Sequence, residues 1–144
     1  MGRFLATAFL VLALGSTVSC VAAQNPRPSG QRIGDELAGT RWQAKSVDGQ
    51  PVADPSLMTL DFLPGDQVRG QAGCNRFVGP FASRGDRVTL GILRQSKDTC
   101  QPAEAAMQQQ LIDQLHGAAR GEVVGGELIF YGRHGEEIRF TPRT

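Results

Sequence analysis

The side chains that could do chemistry in this sequence are few and scattered. The densest polar group is Cys74-Asn75-Arg76, set in the run Gly73-Cys74-Asn75-Arg76-Phe77. A cysteine nucleophile needs a thiolate with a histidine beside it. The chain has 2 histidines: His116 near the end of an expected helix, and His134 in a glycine-flanked turn. Neither is set by its local pattern to serve Cys74. Asp98, Cys100 and His116 are not at a recognised metal-ligand spacing, and no HExxH or CxxC cluster occurs. Glu136 and Glu137 are neighbours in a strand-like run, so they point to opposite faces and cannot flank one glycosidic bond. Arg84-Gly85-Asp86 reads as a hairpin turn rather than an adhesion motif. Gly125-Gly126 and the other glycine pairs lack a phosphate-loop pattern. The expectation is a protein that is not an enzyme and uses no metal or cofactor.

Asn75 and Arg76 admit two readings. They could face a groove and bind an anionic group. Alternatively, Asn75 takes a backbone conformation that other residues resist, and Arg76 closes a buried hydrogen-bond network beside the cysteines. We favour the second.

The frame that must hold these residues is small. A chain of 144 residues with 40% hydrophobic and 20% charged side chains allows one domain once a leader is removed. It excludes a two-lobed dinucleotide enzyme and a polytopic membrane protein. A formal net charge of +1 gives no general pull on nucleic acid or anionic lipid. Among 15 basic residues only Lys45 and Lys97 are lysine. We attribute that bias to GC-rich coding and draw no binding inference from it.

Residues 1–19 read as a secretory signal peptide: a basic start at Arg3, an apolar run from Phe4 to Gly15, then small residues. The run is too short to span a bilayer. Two cleavage sites compete. Cleavage before Cys20 would leave a lipidated cysteine. Cleavage after Ala23 would make the leader residues 1–23 and release a soluble periplasmic or secreted protein. Val21 stands where a retention aspartate could follow Cys20, which favours an outer-membrane lipoprotein facing the periplasm. Residues 20–35, with two prolines and two glycines, read as a flexible tether. The domain is expected over 36–144.

Setting Cys20 aside leaves Cys74 and Cys100. An even pair in an oxidising compartment most often forms a disulfide, and closing that loop is worth roughly 3–4 kcal/mol. The alternative is two buried thiols that never meet.

Short apolar runs separated by Gly, Pro and Asp mark strand-like pieces near Thr40–Val47, Leu57–Leu63, Val68–Ala72, Cys74–Phe81, Val88–Leu90, Ile92–Leu93, Glu122–Val124, Glu127–Tyr131 and Glu137–Thr141. One segment changes period. In Pro102–Gly117, Ala103, Met107, Leu111 and Leu115 recur every four residues with Ala106 and Ile112 beside them, the pattern of an amphipathic helix. The expected fold is α+β: an antiparallel, curved sheet of about seven to eight strands packed on a single α-helix. Its core is expected to include Trp42, Leu60, Phe62, Phe77, Met107, Leu111, Leu115, Ile129 and Phe140.

Gly73-Cys74-Asn75-Arg76-Phe77 with Gly79 and Phe81 resembles the signature of the META domain, an HslJ-like family of bacterial envelope proteins. Gly39-Thr40-Arg41-Trp42 is similar to that family's opening Gly-Thr-x-Trp. Thr99-Cys100 before a helix with Met107, and the closing strands through Ile138-Arg139-Phe140, also fit. The resemblance covers about Leu37 to Phe140. Phe81 stands where tyrosine is common, so a role for that hydroxyl is lost. Gln110 stands where an acidic residue is often found. The resemblance implies an antiparallel sheet wrapped on one helix, frequent secretion or lipid anchoring, and a link to heat shock and novobiocin tolerance. It carries over no catalytic residues. It points to a non-enzymatic envelope stress domain binding an envelope protein, a cell-wall component or a small hydrophobic ligand, and no nucleic acid. Membrane association is expected only through a lipid anchor. The alternative is a small secreted inhibitor or hydrophobic-ligand carrier.

Overall fold

The computed structural model describes residues 33–85 and 87–144. Alternating apolar and polar residues, interrupted by turn formers, make ten strands. These are β1 (Arg41–Val47), β2 (Gln50–Pro51), β3 (Met58–Leu63), β4 (Gln67–Ala72), β5 (Asn75–Arg84), β6 (Arg87–Leu90), β7 (Arg94–Gln95), β8 (Ala118–Val124), β9 (Glu127–Gly132) and β10 (Glu137–Pro142). Two α-helices, α1 (Ile33–Leu37) and α2 (Pro102–Gly117), and a 3-10 turn at Pro55–Leu57 complete the described fold. The tight reversals use left-handed residues where the sequence offers Asp-Gly and Gly-Gly: Asp48 and Gly49 between β1 and β2, Gly125 and Gly126 between β8 and β9.

The expected α+β arrangement of antiparallel strands is present, but the curved sheet packed on a single helix is instead a closed barrel with a helix at each end. Strands β1-β3-β4-β5-β6-β8-β9-β10 are joined in that order, and β10 returns to pair with β1. Trp42 lies opposite Pro142 and Val47 opposite Ile138. The result is a closed eight-stranded antiparallel barrel, with β2 attached to β1 and β7 to β5. Closure pairs the first and last long strands, which would otherwise be the free edges of the sheet. The register slips between Ala44 and Ser46. This bulge at Lys45 lets both Ala44 and Val47 be buried despite their odd spacing.

Inward side chains fill the barrel. Leu60, Phe62, Val68, Phe77, Leu128, Phe130, Ile138 and Phe140 are all buried in one cluster with Trp42. Two glycines make room for two of the rings. Gly70 lies opposite Phe77, and a Cβ there would sit 2.5 Å from the Phe77 ring. Gly121 lies opposite Phe130, and a Cβ there would sit 2.6 Å from that ring. The bulky ring and the absent side chain share one slot in each case. Of the expected core, Met107 is only half-buried. Ile129 is buried but lies outside the interior cluster, in register with Glu122 and Arg139.

A helix closes each end. At one end α1 buries Ile33 and Leu37 completely. Gly34 lies against Ser83 and Phe81 of β5, so close that a Cβ would strike the serine. The expected tether therefore stops short of its last three residues. Ile33–Asp35 are helical because Ile33 has the mouth of the barrel to bury itself in. Residues 1–32, with both leader readings, Cys20 and the rest of the tether, lie outside the described residues. At the opposite end α2 lies across Met58 and Ala72, where β3 and β4 pair. Its apolar stripe is shorter than its period implies. Leu111, Ile112 and Leu115 are buried, whereas Ala103 and Ala106 are exposed.

Candidate functional site

The run at Gly73 sits where β4 hands over to β5 beneath the first turns of α2. Gly73 has φ +58°, and a Cβ there would lie 2.2 Å from the Glu104 carbonyl oxygen. Only glycine lets the helix come this close. Cys74 is bonded to Cys100 with the Cα atoms 5.4 Å apart. Asn75, 3% exposed, is the hub of this end. Its Oδ1 accepts from the Ser96 hydroxyl at 2.8 Å and the Asp98 amide at 2.7 Å. Its Nδ2 donates to Gln108 Oε1 at 2.7 Å and to the Asp98 carbonyl at 3.3 Å. Gln108 Nε2 in turn donates to Gln95. One buried amide thus ties β5, the 96–98 loop and α2 together. The Gln101 amide donates to Glu104 Oε2, satisfying one donor at the start of α2.

The three motif residues therefore separate. Asn75 organises the α2 end. Phe77 is interior, packed over Gly70. Arg76 joins no buried network: its side chain is exposed, and only its main chain takes part, exchanging bonds with Ser96.

Arg76 instead lies on the outer wall of the barrel, in an open groove of about 800 Å³ across β3, β4, β5 and β7. Directly opposed residues in an antiparallel sheet face the same side. The register here sets Arg41, Asp61, Arg69, Val78 and Arg94 in one row across five strands. Arg76 is two residues from Val78 on the same face, and Arg143 reaches in from the segment after β10. Asp61, 8% exposed, is the acid at the floor. It binds Arg143 Nη2 at 2.7 Å and lies 3.8 Å from Arg69 Nε. Among the described residues no carboxylate lies within ion-pair distance of Arg76 or Arg94. The buried Nε of Arg143 has no hydrogen-bond partner. The groove can hold an anion: its guanidiniums outnumber its carboxylates, and two of them are uncommitted. Sequence reasoning missed it because its arginines come from separate strands and the C-terminal tail.

The sequence profile of the META domain matches residues 35–144. This chain belongs to the META domain family. Two solved structures share its fold. An NMR structure of a protein from Burkholderia xenovorans is 21% identical, with 78% of this chain and 87% of that chain covered and a TM-score of 0.64. A second NMR structure is 20% identical, with 74% of this chain and 92% of that chain covered and a TM-score of 0.58. A search of the curated proteins found no significant match.

The opening signature of this META domain has a geometric meaning at the α1 end. Gly39, at φ +81°, turns the chain out of α1 and its amide donates to the Phe62 carbonyl. The Thr40 hydroxyl donates to the Leu37 carbonyl and accepts from Trp42 Nε1 at 2.8 Å. Gly-Thr-x-Trp is thus the joint between the plug and the first strand. Phe81 packs edge-on to Phe62 with ring centroids 5.0 Å apart, and Gln110 is exposed on α2.

The histidines of the META domain meet neither cysteine. His116 and His134 line a separate depression with Asp113, Gln114 and Glu136. His116 Nε2 accepts from the Leu93 amide at 3.2 Å, which pins the segment before β7 to the end of α2. Glu136 is held below the usual carboxylate range by backbone N–H donors, its own and that of His134. Cys74, Cys100 and Glu104 place their ligand-type atoms within 4.8 Å of one another, but sulfurs bonded as a disulfide offer no thiolate to a metal. No described helix is long and apolar enough to cross a membrane.

Proposed function

We propose that this META domain is a non-enzymatic binding module of the bacterial envelope, exported and lipid-anchored through Cys20, that contributes to tolerance of heat or antibiotic stress. The observation that carries the reading is the outer groove, where Arg76 and Arg94 stand without a counter-charge beside exposed Val78. Like charges crowded on one face repel each other, so a surface that keeps them unpaired is suited to an anionic partner. The disulfide supports a lifetime in an oxidising compartment.

The inhibitor or carrier reading draws less support. A carrier of hydrophobic ligands uses the barrel lumen, and here Phe62, Phe77, Phe130 and Phe140 occupy it.

The test is genetic. A strain lacking the chain is challenged with heat and with novobiocin, then complemented by the wild type or by Arg76→Glu/Arg94→Glu. The expected result is sensitivity on deletion, rescue by the wild type and failure of the charge-reversed protein at equal abundance. Full rescue by that protein would remove the groove from the function. Growth unaffected by deletion would remove the stress role.

A further inference from the structure

Val78 is the centre of a triangle of guanidiniums. The register sets Arg69 opposite it on β4 and Arg94 opposite it on β7. Arg76 stands two residues away on the same face of β5. It is diagonal to each of the other two, which puts those Cβ atoms about 7–8 Å apart. Arg69 and Arg94, two strands apart, are rooted about 10 Å from each other. All three side chains line the one groove. An arginine carries its guanidinium well beyond Cβ, so three rooted at these distances can meet over Val78. The floor there is aliphatic: Val78 is 37% exposed and offers the guanidiniums no acceptor. Asp61 does not fill the triangle either. It holds Arg143 Nη2 at 2.7 Å and lies 3.8 Å from Arg69 Nε, and the Arg69 side chain is 57% exposed. A pair that long and that exposed is weak, so Arg69 can turn to a better acceptor at little cost.

The number of forks selects the ligand. A carboxylate has two oxygens in one plane and is filled by one bidentate guanidinium. A phosphodiester keeps one charge and two free oxygens. A terminal phosphate is tetrahedral, carries close to two charges and offers three free oxygens, so it takes donors from three sides. We propose that Arg69, Arg76 and Arg94 form a binding site for a terminal phosphate group, free or as a phosphomonoester, seated over Val78. The inference rests on the binding-module reading and deepens it by naming the anion. The groove is open to solvent, so the phosphate can be the end of a larger molecule as well as a free ion.

The test uses the exported protein with Cys20→Ser, which removes acylation and keeps the whole domain. It is titrated with inorganic phosphate, glycerol 3-phosphate and acetate, followed by NMR at the Val78 methyls and the arginine Nε–H groups. Saturable shifts from both phosphates, weakened by added salt, are expected, with acetate binding at least about ten-fold more weakly. Equal affinity for the two phosphates would make the phosphate itself the ligand. Tighter binding of glycerol 3-phosphate would assign the site to phosphate-bearing molecules. Arg76→Ala and Arg94→Ala, both surface changes, should each lower affinity about ten-fold at unchanged melting temperature. Arg76→Lys/Arg94→Lys should also bind weakly, because an ammonium lacks the planar fork. Arg133→Ala, which lies in a different depression, should leave affinity unchanged. Four outcomes would overturn the proposal: no saturable shift from either phosphate, acetate binding as tightly as phosphate, full affinity in the lysine variant, or an equal loss from Arg133→Ala. Failure here combined with a stress phenotype for the charge-reversed strain would strike the phosphate site and leave the binding module standing with another anionic partner. Phosphate binding without any phenotype would keep the site and remove the stress role.

Discussion

The two ends of the barrel are closed by opposite means. At the α1 end a five-residue helix enters on two apolar side chains, Ile33 and Leu37, and is joined to the wall by the Thr40 hydroxyl between Leu37 and Trp42. At the α2 end a sixteen-residue helix buries an apolar stripe only in its second half. Its first half is held by the Cys74–Cys100 bond, the Gly73 approach and the Asn75 amide. The difference follows from length. A short helix has too few backbone bonds to stand alone, so it exists only as far as its side chains are buried. A longer helix can lie across the barrel mouth and leave one half polar, provided a crosslink and a saturated amide secure it. Apolar closure should thus be indifferent to redox state and sensitive to truncation, and polar closure the reverse.

The largest expected effect tests the apolar end. Trp42→Ala should cost about 3–5 kcal/mol in a urea titration, since the indole is 5% exposed and packs in the main cluster. A near-neutral change would mean that this end is not held by burial. Cys74→Ser comes next, with a loss of about 3 kcal/mol for a crosslink across 26 residues. Trp42 is the only tryptophan, so its emission reports the α1 end alone. Reduction of the native protein should reproduce the stability of Cys74→Ser and leave that emission unchanged. A shifted spectrum would show that the two ends are coupled.

Asn75→Ala sharpens the contrast within the α2 end, because it keeps the disulfide and removes the hub. It strands Gln108 and the Asp98 amide, for an expected cost of about 1–3 kcal/mol. Faster amide exchange in the first turns of α2 should accompany it. If exchange there is unaffected, the crosslink alone positions the helix. Thr40→Val should cost about 1 kcal/mol by removing the acceptor of Trp42 Nε1, with the change confined to the α1 end.

Acid should have the smallest effect. Glu127 is lowered chiefly by its hydrogen bond from Lys45, and Glu136 by backbone donors. A depressed carboxylate contributes stability above its unfolded pKa, and that contribution is lost as pH falls through the folded value. A mild decline in melting temperature on acidification is expected, reduced in Glu127→Gln. A rise on acidification would reverse the assignment.

Most strands were legible because period-two alternation and Gly or Asp-Gly turns are local signals. The span of α2 was legible for the same reason, from its four-residue spacing. Three things were not. Barrel closure depends on β1 meeting β10, and nothing in either strand's own sequence names its partner. Helix α1 is too short to show a period, and its Ile33-Gly34-Asp35 start follows a proline- and glycine-rich stretch, so it read as tether. At the site, the Cys74–Cys100 pair was readable from cysteine parity. The role of Asn75 as a hub and the outward turn of Arg76 were not, because alternation assigns faces only after the register is known. The groove arginines were set aside as compositional bias, since only the pairing of β3, β4, β5 and β7 brings them together.

Barrel closure also sets an order of events for the growing chain. Trp42 must wait for Pro142, about 100 residues later, before the seam between them can form. A ribosome emits β1 early and β10 last, so through nearly all of synthesis β1 can pair with β3 on one edge while the partner of its other edge does not yet exist. Contacts of such high sequence separation form slowly because the long loop must close first. The barrel therefore cannot close until β10 is made, and a truncation that removes only β10 should leave a chain that never completes its fold.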